Sequence, residues 1–385
     1  MTLQAVAVLA ALLLGTAPEA AGVGGPPRTV RFVKGAESDF DRYTRDPTAA
    51  QKEWMRSHYW RLRAYTPYFD ERLGWAPKTW VYKDLYAIYR GSNMAEAHPE
   101  WILKDGGGNR LFIPYDCAGG TCPQFAGDIG NPDFRVRWIA AARATLGMGY
   151  IGLFVDDVNM DLSRVSDGAG RPVVPHDPRT GGPMTNADWR RYMARFTEEI
   201  RHAFPGHEIV HNALWFFGHD DPFIQRQLRS ADYIELERGV NDPGLVSGGG
   251  EFGFDTLLHH LDWLHAEGKG VIFDANAQTV EGREYGLAAY LLLDEGRDGL
   301  GNDPGGTPDD WWCGYDVSLG APLGPRYAWN GVLRRARSRG VVLVNPPDAA
   351  ERTVTLDRPL RSLACQRPAA VTLGPAQGAV LQAIQ

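Results

Sequence analysis

The 385-residue sequence predicts an α/β fold: a (β/α)8 (TIM) barrel followed by a small C-terminal antiparallel β domain. Three observations carry this prediction. Short apolar runs alternate with amphipathic stretches along most of the chain, as βα units around a parallel sheet do. One run, Tyr150 to Val155 (YIGLFV), is apolar throughout, which suits a strand buried on both faces. From about Arg326 the texture changes to short β-type runs separated by Pro and Gly. No Gly-x-Gly-x-x-Gly follows an early strand and there is no P-loop, which disfavours an open dinucleotide- or nucleotide-binding sheet.

Taken in order, a weak first strand is expected near Thr29 to Val33, then Thr79 to Tyr82 (TWVY) and Leu111 to Pro114 (LFIP). Asn131-Pro132 is a helix start signal for the apolar spacing of Phe134 to Leu146. After the Tyr150 to Val155 strand come a long amphipathic helix over Asn186 to Phe204 and a strand over Glu208 to Val210. A short helix (Pro222 to Leu228) and the strand Tyr233 to Leu236 follow. Next are a helix from Phe252 to Glu267 stopped by Gly268, the strand Gly270 to Phe273, a helix over Glu284 to Asp294, and a last strand near Arg297 to Leu300. About eight units favour a closed barrel. Gly301 to Trp312, and less strongly Ser163 to Met184, read as long βα loops at its mouth. Gly340 to Asn345, Arg352 to Leu356 and Ala379 to Ile384 are the C-terminal β runs. The expected division is 1–24 signal peptide, 28–325 barrel and 326–385 β domain.

Ala5 to Leu14 is apolar, too short to span a bilayer, and followed by small residues up to Gly25. It reads as a secretory signal, so a secreted or periplasmic protein is expected, with no integral membrane span. The charge balance, 40 Lys+Arg against 47 Asp+Glu, argues against nucleic acid or an anionic membrane as partner. With 12 Trp, 15 Tyr and 15 Phe, the chain is not disordered. Of the four Cys, Cys117 and Cys122 bracket a flexible loop that a disulfide could close, and Cys313 and Cys365 could pair across the C-terminal region. Composition alone leaves the oligomeric state open.

In a parallel barrel, residues just past each strand's C-terminal end converge on one face. Those residues here are Lys83, Asp84, Asp116, Asp156, Asp157, His211, Asn212, Glu237, Asp274 and Asn276. Their recurrence at successive strand ends implies a polar, acid-rich cavity suited to hydroxyl-rich substrates. Asp156 and Asp157 follow the buried strand directly, so one is expected to face the mouth and the other a neighbouring loop. Period-2 alternation in Asp232 to Glu237 (DYIELE) puts Glu235 and Glu237 on one face, with Glu237 nearer the mouth. Two carboxylates flanking a scissile bond are what glycoside hydrolysis needs. No His-Glu-x-x-His and no Gly-x-Ser-x-Gly occurs, so a metal-dependent hydrolase and a serine nucleophile rank lower, and no cofactor or metal is expected.

At these residues a resemblance appears. Gly149 to Asp157 (GYIGLFVDD) and Asp232 to Glu237 resemble two strands of the family that includes the secreted endo-α-1,4-polygalactosaminidases. Tyr59 to Tyr68 (YWRLRAYTPY), Trp101 to Asn109 (WILKDGGGN), Asp128 to Pro132 with Trp138, and Asp316 to Gly324 followed by GVVLVNP are similar to hypothetical glycosyl hydrolase family 15. The resemblance covers roughly residues 30 to 380. It implies a TIM barrel acting on a glycosidic bond, with Asp156 and Glu237 on the two carboxylate positions. Its C-terminal β domain resembles those appended to many glycoside-hydrolase barrels. One departure is Ile151, which stands where the family has Asp.

The expectation is therefore a secreted glycoside hydrolase acting on a polysaccharide or oligosaccharide. Asp156 is the expected nucleophile or base and Glu237 the general acid. Lys83, Asp116, Asp157, His211, Asn212 and Asp274 are expected to hold sugar hydroxyls, and Trp215 and Trp311 to stack on sugar faces. Trp54, Trp138, Trp189 and Trp263 lie at helical spacing and are expected to pack. A non-catalytic carbohydrate-binding barrel is the alternative, and a metal-dependent hydrolase a more distant one.

Overall fold

The computed structural model describes residues 30–36, 45–69, 72–216, 218–274, 277, 279–301 and 310–384. The expected signal segment, Asn276 and most of the Gly301 to Trp312 loop lie outside them. Eight parallel strands close a barrel in sequential order. They are β1 (Phe32–Ala36), β2 (Tyr59–Ala64), β3 (Thr79–Asp84), β4 (Gly152–Asp156), β5 (Glu208–Asn212), β6 (Tyr233–Leu236), β7 (Gly270–Asp274) and β8 (Gly299–Gly301). Helices α1 (Ala49–His58), α2 (Pro132–Leu146), α3 (Asn186–Ala203), α4 (Pro222–Arg229), α5 (Phe254–Ala266) and α6 (Val280–Leu293) alternate with them. This is the (β/α)8 barrel the sequence predicts. Among the described residues, no helix is long and apolar enough to cross a membrane.

The helix starts follow local chemistry. Thr48 and Thr185 cap α1 and α3 through capping boxes, and Asn131 and Asp221 each precede a Pro at the first position of α2 and α4. The barrel interior is filled by Val33, Trp80, Phe154, Val210, Tyr233 and Ile272. Two ion pairs join them. Arg61 reaches Glu208 at 2.8 Å toward the start of β5, and Arg63 reaches Glu235 at 2.8 Å.

Two sequence expectations change. Leu111 to Pro114 is not a barrel strand: it lies in an insertion between β3 and α2, where Phe112 forms isolated bridges to Phe125 of the same insertion and to Ser166 of the loop after β4. The missing barrel strand is β2, whose YWRLRA sequence carries two arginines. Both arginines make ion pairs to acids on distant strands.

The C-terminal region is antiparallel, as expected. Strands β9 (Tyr327–Trp329), β10 (Val332–Arg337), β11 (Gly340–Asn345), β13 (Leu360–Ser362) and β15 (Gln377–Ala383) form one sheet, and β12 (Arg352–Thr355) pairs with β14 (Ala370–Leu373). One face of the larger sheet (Val342, Val344 and Val380) joins the barrel's hydrophobic core. Gly378 allows the approach to α6, because a Cβ there would stand 2.6 Å from the Cβ of Ala288. Arg335 donates to the carbonyls of Leu292 and Asp294, and Arg337 to that of Leu291. The sheet thus satisfies the carbonyls at the C-terminal end of α6.

Candidate functional site at the barrel mouth

The C-terminal ends of the strands open into a cavity of about 960 Å³. Seven carboxylates line it (Asp116, Asp156, Asp157, Glu235, Glu237, Asp242 and Asp274) against the three guanidiniums of Arg63, Arg164 and Arg238. Asp156 is the last residue of β4, and alternation along that strand turns Phe154 and Asp156 inward. Its carboxylate accepts hydrogen bonds from the Tyr82 hydroxyl, from the Asn212 amide at 2.8 Å and from the backbone N–H of Asp157 at 2.8 Å. Three donors to one carboxylate fix its orientation in the mouth.

Asn212 ends β5 and links the two principal acids. Its Nδ2 lies 2.8 Å from Asp156 Oδ1 and 3.4 Å from Glu237 Oε2. Those two oxygens are therefore no farther apart than the sum of the distances, about 6.2 Å. Glu237 is one residue past β6 and exposed, beside Arg238 in the left-handed region at φ 62°. Glu235, two residues deeper, is buried and held by Arg63.

Asp157 also lines the cavity, although one of the two adjacent acids was expected to face away. It adopts a left-handed φ of 57°, which breaks the strand alternation and turns both carboxylates into the mouth. It accepts from Asn159 at 3.0 Å. Burial, followed by the charge of Asp156, pushes its carboxyl well above the usual range. Asp274 sits at the end of β7 against Gly301, where a Cβ would come within 2.6 Å of its Oδ1. Asp116 lines the cavity from the insertion between β3 and α2, together with Ile113, Pro114 and Tyr115.

Of the proposed sugar-binding residues, Asp116, Asp157, Asn212, Trp215 and Asp274 reach the cavity. Lys83, His211 and Trp311 do not. Lys83 faces outward between Tyr82 and Asp84, with its ammonium over the Trp138 ring of α2, and burial lowers its pKa. His211 also points outward, between Val210 and Asn212. It is fully buried against α4, 2.8 Å from the Gln227 amide, and burial lowers its pKa to about 3, so it is neutral. Trp311 packs edge-on against Phe32, Trp54 and Tyr59, beside the starts of β1 and β2 and away from the mouth. Both strand residues fail for one reason: a strand end gives a position but not which parity faces in.

Sequence reasoning missed Arg63, Tyr65, Tyr82, Tyr89, Asn159 and Phe252 in the lining. For Tyr82 the signal was present, since it shares the inward parity of Trp80 in β3. Tyr89 and Phe252 come from insertions, which carry no barrel periodicity. Cys117 and Cys122 are bonded in the insertion, whereas Cys313 and Cys365 are free and exposed, lining one crevice beside the C-terminal sheet. Among the described residues, no group of three or more His, Cys, Asp or Glu side chains is placed to hold a metal ion.

Fold and cavity together define a TIM barrel with an acid-lined mouth and an appended β sheet. No protein-family model and no curated protein sequence matches the chain. Solved structures do. The noncanonic maltogenic α-amylase AmyB from Thermotoga neapolitana is 11% identical, covers 94% of this chain and 100% of its own, and has a TM-score of 0.52, which shows a shared fold. The cyclic α-maltosyl-(1→6)-maltose hydrolase from Arthrobacter globiformis is 13% identical, over 92% of this chain and 99% of its own (TM-score 0.48). The glycoside hydrolase domain of PelA from Pseudomonas aeruginosa is 16% identical, over 73% and 95% (TM-score 0.45).

Proposed function

We propose that this protein is a secreted glycoside hydrolase that cleaves a polysaccharide or oligosaccharide with Asp156 and Glu237. The observation that carries the reading is the Asn212 amide between those two carboxylates at the open end of the barrel. In the proposed reaction Glu237 protonates the leaving oxygen and Asp156, held in place by three donors, attacks the anomeric carbon. Water then releases the glycosyl group, with Glu237 acting as base. The resemblance of GYIGLFVDD and DYIELE to strands of the polygalactosaminidase family supports the pairing, and a barrel shared with a maltogenic α-amylase is in keeping with it. Secretion is supported by the apolar leader and by the Cys117–Cys122 disulfide, since such bonds persist in oxidising compartments.

With Asp156 as nucleophile, the product is expected to retain its anomeric configuration. The test is a screen of bacterial and fungal polysaccharides for release of reducing ends, with proton NMR following the first-formed anomer. An inverted anomer would overturn the nucleophile role of Asp156. Glycan binding without product release points to the non-catalytic barrel, and loss of activity on thorough chelation to a metal-dependent hydrolase.

A second reading makes Asp157 the proton donor, because its carboxyl is already pushed above the ordinary range. Full activity in Glu237→Gln together with loss in Asp157→Asn would select it.

A further inference from the structure

A chain of hydrogen bonds joins the cavity-lining Tyr89, Tyr82 and Asp156 through Asp84, which the reaction as written does not use. Tyr89 donates to Asp84 Oδ2 at 2.7 Å. Asp84 Oδ1 is 3.0 Å from the Tyr82 hydroxyl, and that hydroxyl also contacts Asp156 Oδ2. A phenol carries one proton and cannot donate it to two carboxylate oxygens at once. If Asp84 and Asp156 were both ionised, one of the two contacts would be an oxygen facing an oxygen with no proton between them. A proton on Asp84 Oδ1 satisfies every contact: Tyr89 to Asp84, Asp84 to Tyr82, Tyr82 to Asp156.

We propose that Asp84 is a positioning residue that stays protonated at neutral pH and donates to Tyr82, so that the single Tyr82 proton is committed to Asp156. The proposal deepens the reading of Asp156 as nucleophile and rests on it for its kinetic consequence. Asp84 does not line the cavity, so it acts through Tyr82 and not on substrate. Several groups face it, and of these the Tyr89 and Tyr82 hydrogen bonds and the Lys83 charge oppose the effect of burial. Tyr82 and Lys83 belong to its own strand, Tyr89 comes from the insertion, and Asp156 and Asp157 from the end of β4. On α2, Trp138 donates to the Asp84 backbone carbonyl and Arg137 opposes Lys83. Tyr65 lies against the Tyr82 ring at 4.3 Å. Burial raises the Asp84 carboxyl above its ordinary value, with the charge of Asp156 adding to the effect.

The structural half is tested without substrate. Carboxyl-carbon NMR of the whole protein, labelled at aspartate Cγ, should show a protonated aspartic acid at neutral pH that is absent from Asp84→Asn and present in Asp157→Asn. A full set of protonated signals in Asp84→Asn overturns the proposal whether or not the protein cleaves glycans. The kinetic half uses three variants. Tyr82→Phe should lower kcat about 10- to 100-fold with little change in KM, the loss of one hydrogen bond to a charged group. Loss of that donor should also move the acid limb of the kcat profile to higher pH. Asp84→Ala should also lose activity, and Asp84→Asn, whose amide can donate to Tyr82 and accept from Tyr89, should restore most of it. If Asp84→Asn is as damaging as Asp84→Ala, Asp84 acts as an ionised group and the assignment falls.

Discussion

The two sides of the barrel mouth hold their acids in opposite ways. Asp156 ends a buried strand, and its side chain is fixed by a phenol, an amide and a backbone N–H. Glu237 stands one strand beyond Asn212, in a turn past the end of β6, exposed, with the Asn212 amide 3.4 Å away. The difference suits the two roles proposed. A nucleophile gains from fixed donors that favour its charge and its direction of attack, because that order is built in folding and not at the moment of reaction. A group that must give up a proton and then take one from water needs contact with solvent and freedom to turn.

The sharpest way to break the comparison is on the ordered side. Asp156→Asn keeps the shape and removes the charge, and should lower kcat by about 10³-fold or more while far-UV circular dichroism and Tm stay near those of the parent. A smaller loss would mean that the three donors serve packing and not chemistry. On the exposed side, Glu237→Gln should cost about 10²–10⁴-fold on natural glycans. The same variant should lose much less on aryl glycosides whose leaving group needs no protonation. Equal losses on both substrate types would remove Glu237 from the acid role. Together the variants separate charge at the anomeric carbon from proton delivery to the leaving oxygen.

The barrel was legible because its signals are local. Apolar runs, caps such as Asn131-Pro132 and stops such as Gly268 lie within a few residues of the elements they define. β2 was not legible because its inward side chains are Arg61 and Arg63, which look like surface residues until Glu208 and Glu235 arrive from strands far along the chain. Asp156, Asn212 and Asp274 were legible as strand ends, and their placement in the cavity follows from parity. The same rule misplaced Lys83 and His211, since one residue of register exchanges the two faces. Asp157 escaped the rule in the other direction, because a left-handed residue resets the alternation. The Tyr89–Asp84–Tyr82 chain needed an insertion folded back on β3, which no period in the sequence announces.

The aromatic residues sharpen the comparison at its smallest scale. Trp215 is half-buried at the edge of the cavity, beside Phe216 and Phe252 at ring distances of 6.0 and 6.4 Å. Trp311 lies at the other end of the barrel and is enclosed by rings. A sugar face stacked on Trp215 would contribute about 1 kcal/mol. Trp215→Ala should therefore raise KM roughly fivefold, kcat changing less, because the ring touches sugar and not the reacting bond. Trp311→Ala should instead lower Tm, as removal of a ring from a packed cluster does. Steady-state kinetics and a melting curve on each variant decide the matter. If Trp215→Ala lowers Tm and leaves KM unaltered, the cavity edge is packing and the sugar is held by the acids and Asn212 alone.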